Sequence, residues 1–203
     1  MTQKPLDCAT ILLADPHNRK IALAKKKDRL IAPCEPIASG DGVADIAHAH
    51  ISRQRLGTDE SRATAFQDAA LRALYERFGQ LIAHPVPVGT LLANDGEWGH
   101  IARHHLAPDR MALTYLGRCI DPIDVKKRRH RRVFAAPLSR VSNSIGQSSS
   151  AKPIIWVSPE EAAHKTEDPA LEPFFALILS ALGGRPHPLR VSFRAGQRIE
   201  TRL

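Results

Sequence analysis

A chain of 203 residues is long enough for one domain with a well-buried core and short for two full ones. Its apolar share of 43% and charged share of 25% are those of a globular protein. No apolar run approaches the roughly 20 residues that a membrane helix needs. The formal charge of +8 biases the chain toward polyanions such as nucleic acid, phosphorylated metabolites or acidic lipid, without choosing among them.

The N-terminal stretch MTQKPLDCATILLAD has a lysine and then a short apolar run interrupted by acids. That is the pattern of a strand and not of a secretory signal, so the expected compartment is the cytoplasm. CATILLAD and KIALAKK flank the turn residues Pro16 and Asn18 and predict a hairpin. LIAPCEPIASGDG carries two prolines and two glycines, which predict a loop with a short extended piece. DIAHAHISRQRL, closed by Gly57, has the spacing of an amphipathic helix. A second helix is predicted over TDESRATAFQDAALRALYERFGQ, with Thr58 and Asp59 as caps, Gly79 as the stop, and Phe66, Ala70, Leu71, Leu74 and Phe78 at helical period.

Beyond it, PVPVGTLLAND and MALTYLGRCI read as strands joined by a long loop, GEWGHIARHHLAPDR. RRVFAAPL predicts another strand, and a serine-rich flexible loop follows over about residues 142–152. In PIIWVSPEEAAHK a strand, with Trp156 assigned to the core, runs into a helix; Ser158 is its N-cap, Pro159 its first residue, and Glu161 completes a capping box. PALEPFFALILSALGG is a helix closed by glycines, and the chain ends in a hairpin over about 188–203 that turns at Ala195 and Gly196. Strands mixed with a few helices point to an α+β or α/β sandwich in one domain, residues 1–203.

The chemistry-bearing residues are few. Cys8, Cys34 and Cys119 are odd in number and in no CxxC arrangement, which predicts reduced thiols in or near the core. His48 with His50, and His104 with His105, are wrongly spaced to chelate from a helix. No HExxH, GxSxG or P-loop pattern is present. The run KKRRHRR, residues 126–132, is either a nucleic-acid patch, though without an aromatic platform, or a solvated loop feeding a strand.

The order of parts resembles the Nudix superfamily: a strand pair, a glycine-containing loop, a helix AALRALYERFG, more strands, and the WVSPEEA junction. The resemblance is greatest to the branch with an insertion before that helix, here about residues 41–68, which includes coenzyme A diphosphatase-like members. It implies an α/β/α sandwich around a mixed sheet and cleavage of nucleoside- or coenzyme-linked diphosphates with Mg²⁺ or Mn²⁺. In the box G-x5-E-x7-R-E-U-x-E-E-x-G-U, Arg72 matches the arginine, Leu74 the apolar position, Glu76 the first paired glutamate and Gly79 the closing glycine. The other glutamate positions hold Thr64, Ala73 and Arg77, and the glycine loop falls in SGDG at Gly40 or Gly42.

One carboxylate of the box therefore remains, Glu76, and a fixed guanidinium, Arg77, stands where a cation is expected. The expectation is a depleted metal site with weak or lost hydrolysis that retains a phosphorylated ligand, nucleotide or coenzyme A-like, through Arg72, Arg77 and Gly40. The alternative for Arg77 is an ion pair with Glu76, Asp68 or another acid. Two rival functions stay open: an active hydrolase with acids from outside the box, Glu97 beside Asp95 or Glu35, Asp41 and Asp45 near the glycine loop, and a nucleic-acid binder using residues 126–132. The resemblance also makes a homodimer an option.

Overall fold

A computed structural model describes residues 4–42, 56, 60–88, 96–142, 151–166 and 168–203. Two apolar runs with a polar turn between them fold as anticipated, into β1 (Leu6–Asp15) and β2 (Lys20–Lys26). Asp15 shapes the turn, its carboxylate accepting from the backbone N–H groups of His17 and Asn18 at 3.0 and 3.2 Å. The proline-rich stretch that follows yields two three-residue strands, β3 (Arg29–Ile31) and β4 (Cys34–Pro36). The predicted helix over residues 45–56 lies outside the described residues, except for Leu56, which is helical and buried.

The long helix is α1 (Glu60–Phe78), and Gly79 closes it at φ 65°, donating to Tyr75 O. The expected caps Thr58 and Asp59 lie outside the described residues. After β5 (Ala83–Pro85) the anticipated strand through residue 95 stops short. Pro85 and Pro87 bring no N–H donors, and residues 89–95 lie outside the described residues. The anticipated loop from residue 96 is instead α2 (Gly96–Arg103), followed by β6 (Leu106–Pro108) and a short 3₁₀ turn, Arg110–Ala112. Trp98 and Ile101, three apart, form the buried edge of α2, a stripe too short to stand out between Gly96 and two histidines.

The remaining elements are β7 (Thr114–Ile120), β8 (Arg129–Pro137), β9 (Ile154–Val157), α3 (Pro159–Lys165), α4 (Glu172–Leu182), β10 (Leu189–Arg194) and β11 (Gln197–Arg202). Ser158 caps α3 by accepting from Glu161 N–H at 3.1 Å. The last turn is at Ala195 and Gly196, both with positive φ. Of the serine-rich stretch, residues 143–150 lie outside the described residues.

The main sheet runs β11-β10-β7-β8-β1-β2-β3, with β4 on β1 and β9 on β2; β1–β8 and β10–β7 are parallel and the other pairs antiparallel. Strand alternation sends Ala9, Ile11, Leu13, Ala22 and Ala24 to one face, against α1, and Leu12, Ala14, Ile21 and Leu23 to the other, against α3 and α4. The result is a mixed sheet with helices on both sides, an α+β sandwich. β1 and β2 pair only at Ala14 and Asp15; farther along, β4 takes the edge of β1 at Cys8–Thr10 while β9 takes β2. β1 and β2 thus part, and a cavity of about 570 Å³ opens near Thr10, Leu30 and Cys34.

The same alternation divides the basic run. Residues 129–132 are not a solvated loop, because they begin β8. Arg129 and Arg131 turn to one face, where Asp121 and Asp168 receive them; Arg131 is 1% exposed. Arg132 turns to the other face, donating to Leu56 O and lying 4.2 Å above the Phe66 ring. Lys126 and Lys127 are the exposed part of the run.

His130 Nδ1 is 3.0 Å from Arg132 Nη1 and 3.4 Å from Asp7 Oδ1. Burial first, and the Arg132 charge next, push its pKa down to about 4. We read the ring as neutral, with Nδ1 accepting from Arg132, so the Asp7 contact is not a charge pair. The unfolded chain takes up this proton at the ordinary value of 6.5 and the native state only near 4. Stability should therefore fall as pH drops through that window, and denaturant titrations of His130→Gln should show a flatter profile there.

Gly117 interrupts the β7–β8 register at φ 139°, and a Cβ placed there would lie 2.0 Å from Leu189 O. Gly117→Ala should lower unfolding stability by about 2–4 kcal/mol in denaturant titration, through the strain and the displaced β10 backbone.

Candidate functional site

Helix α1 lies against the sheet along an alanine-rich side, Ala63, Ala69, Ala70 and Ala73, which lets it approach closely. From Ala65 through Tyr75 every residue is buried, including Gln67, Asp68 and Arg72. Charges in that position need partners inside the protein. Arg72 donates through Nε and Nη2 to the two oxygens of Asp41 at 3.0 and 2.9 Å, through Nη2 to Pro36 O at 2.7 Å, and through Nη1 to Glu76 Oε1 at 2.9 Å. Burial works to lower its pKa, but Asp41 and Glu76 outweigh it and raise it. Asp41 also accepts from the Trp98 indole at 2.9 Å.

One turn earlier on α1, Asp68 is held by Arg110 through two bonds of 2.7 Å and accepts from Gly42 N–H at 2.9 Å. Gly40 lies in a turn closed by Asp41 N–H to Ala38 O at 3.1 Å and by Ala38 N–H to Asp41 Oδ2 at 2.8 Å. Gly42, at φ 82°, leaves that turn in the left-handed region. The glycine loop is therefore fastened to α1 at both Asp41 and Gly42.

Arg77 does not meet Glu76 or Asp68; it pairs with Glu35 of β4, donating from Nε at 2.6 Å. Its side chain is 42% exposed. Glu97 lies in the first turn of α2. Burial, and then the Glu97 charge, push the Tyr75 hydroxyl upward. Asp45 and Asp95 lie outside the described residues. Arg72, Glu76, Asp41 and Gly40 are thus gathered, Arg77 joins Glu35, and Thr64 and Ala73 add no carboxylate.

A hard divalent cation needs several oxygens converging on one point. Among the described residues no group of three or more His, Cys, Asp and Glu is so arranged. Glu35, Asp41, Asp68 and Glu76 are each in an ion pair with an arginine. These residues do not fit Mg²⁺ or Mn²⁺.

The cavity between β1 and β2 is on the other side of the sheet from α1. Lys26, Lys27 and Arg29 line it from the β2–β3 turn, and Arg129 and Arg131 from β8, against Asp121 and Asp168. The three from the turn are exposed. Strand β4 borders both regions, since its alternation sends Cys34 to the cavity and Glu35 to Arg77. Sequence reasoning missed Lys26, Lys27 and Arg29, whose signal was the KKKDR turn itself, and Arg110, which has no local signal.

No family model and no curated protein matches the sequence. Solved structures do. A NUDIX hydrolase from Alicyclobacillus acidocaldarius is similar at 18% identity, over 92% of this chain and 94% of that one, with a TM-score of 0.62. The MutT protein from Bacillus halodurans is similar at 11% identity, over 96% and 97%, with a TM-score of 0.50. The chain has the Nudix fold.

Replacing one partner of a buried pair leaves a charge unanswered, whereas an exposed pair is dispensable. Arg72→Ala should lower unfolding stability by about 3–5 kcal/mol and Arg77→Gln by under about 1 kcal/mol, as read by chemical denaturation.

Proposed function

We propose that this Nudix-fold protein binds a phosphorylated small molecule, of nucleotide or coenzyme A-like class, and hydrolyses diphosphates weakly or not at all. The observation that carries this reading is the Arg77–Glu35 pair, with Arg72 holding Glu76 and Asp41. Carboxylates bound to arginines are neutralised where the fold's hydrolases use divalent cations. Support for retained binding comes from the cavity, whose volume of about 570 Å³ is that of a small-molecule site. Its lining has five cations to two carboxylates, and Lys26, Lys27 and Arg29 are the exposed ones. An ammonium or guanidinium meeting phosphate oxygens forms charge-assisted hydrogen bonds.

In this reading Arg72 positions the glycine loop and does not touch the ligand, because four of its N–H donors already serve protein acceptors. Arg77 holds β4, the strand whose other face borders the cavity. Burial of Arg131 and Arg132 leaves Lys126 and Lys127 as a small footprint for nucleic acid, which favours the small-ligand reading.

Calorimetric titration with ADP and with coenzyme A, in EDTA and then in Mn²⁺, should show binding that needs no metal. The double variant Lys26→Ala/Arg29→Ala should weaken it about tenfold or more. Released phosphate-containing products should be scarce or absent. Efficient Mn²⁺-dependent turnover abolished by Glu76→Gln would sink the proposal. A gain-of-function variant, Ala73→Glu/Arg77→Glu, should bind Mn²⁺ more tightly by restoring carboxylates beside Glu76 and releasing Glu35.

A further inference from the structure

The floor of the cavity holds a feature that ligand binding does not use. In the antiparallel pair β1–β4, Thr10 faces Cys34 and Cys8 faces Pro36, so Cys8 and Cys34 are diagonal neighbours on one face. Their thiols are close enough to shift each other's proton affinity. Cys34 is part-buried and lines the cavity, while Cys8 is 2% exposed behind it. One thiol of the pair is thus open to a small solute and the other is reached only through the first.

The surroundings distinguish the two sulfurs further. The neighbouring Cys8 thiol first, and then the Arg131 and Arg129 charges, lower the Cys34 thiol against burial. The proximity of Cys34, with burial, raises Cys8, which keeps its proton. From the other elements around the cavity come Asp121 after β7, Asp168 before α4, and Lys26, Lys27 and Arg29 at the β2–β3 turn. Both aspartates are engaged by Arg131, so the pocket remains cationic toward Cys34. Cys119, fully buried in β7, has its thiol pushed up to about 12 by burial and does not line the cavity.

We propose that Cys34 and Cys8 form a peroxide-responsive dithiol, in which Cys34 is the attacking sulfur reached through the cavity and Cys8 the resolving one. The Cys34 thiolate attacks one oxygen of a hydroperoxide and the O–O bond breaks. Cys34 becomes a sulfenic acid, and the departing hydroxide or alkoxide takes a proton from water. The Cys8 sulfur then attacks Cys34 sulfur, the S–O bond breaks, and the hydroxyl leaves as water with the Cys8 proton. Two thiols lose two electrons in total, one peroxide gains them, and an S–S bond joins β1 to β4. Closing the diagonal pair to the roughly 3.8 Å Cβ spacing of a disulfide asks for a shift of β4, which is three residues long and ends in a loop on both sides.

The test uses the full-length reduced protein, hydrogen peroxide as the probe, and peptide mass mapping as the readout. Before oxidation, iodoacetamide at pH 7 should alkylate Cys34 about tenfold or more faster than Cys8 and Cys119. After peroxide, Cys8 and Cys34 should be recovered as one disulfide-linked peptide pair, restored by dithiothreitol, with Cys119 still alkylated on denaturation. Cys8→Ala should stop at a sulfenic acid on Cys34 trapped by dimedone, and Cys34→Ser should leave Cys8 unoxidised. Wild-type protein carries the decisive outcomes even if a variant fails to fold. The proposal is overturned if both thiols remain alkylatable after peroxide, if Cys34 pairs with Cys119, or if only cross-links between molecules form. None of these readings depends on a phosphorylated ligand, so they fail or hold separately from the proposed function.

Discussion

A helix buried on almost every side cannot leave its charges to water, and that constraint governs the region around α1. Asp68 and Arg72 lie one turn apart within the buried stretch. Their partners come from far along the chain: Arg110 from the 3₁₀ turn for one, Asp41 from the glycine loop for the other. Each pair fastens a loop to the helix. Because Arg72 also reaches Pro36 O and Glu76, one guanidinium ties together β4, the glycine loop and two turns of α1. An arrangement of this kind costs desolvation and fixes geometry. It gives a single placement of the loop over the helix, with Asp41, Asp68 and Glu76 each engaged by an arginine.

Strand β4 touches both sides of the sheet. Its middle residue, Glu35, receives Arg77 on the helix side, and its first residue, Cys34, borders the cavity on the other. Within the sheet β4 pairs with β1 alone, so the rest of its hold comes from Arg72 at Pro36 O and Arg77 at Glu35. The parting of β1 and β2 therefore does two things: it opens the cavity, and it leaves a three-residue strand between that cavity and the helix.

Local chemistry was legible where the pattern was long or the residue unusual. The period of α1, the Ser158 cap with Pro159, and the Ala195–Gly196 turn all state their geometry within a few neighbouring residues. Helix α2 was not legible, since eight residues with two glycines carry too little periodicity to distinguish them from a loop. The charge run at 126–132 misled for a different reason. Alternation along β8 sends consecutive arginines to opposite faces, and whether each meets an acid depends on Asp121, Asp168 and Asp7, which only the folded topology brings near. The acids themselves could be read from the residues; that Asp41 and Asp68 are each matched by an arginine could not, because Asp41–Arg72 and Asp68–Arg110 join segments far apart in the chain.

The parallel register of β1 with β8, Leu6 facing Arg129 and Ala14 facing Pro137, has a consequence for how the chain is made. β1 is translated well before β8 and is buried on both faces in the finished sheet. It can shelter early in the hairpin with β2, but their pairing is confined to Ala14 and Asp15. Most of its edge waits for residues translated more than half a chain later. Such late, non-local pairing slows folding and leaves an apolar strand without its partner during synthesis.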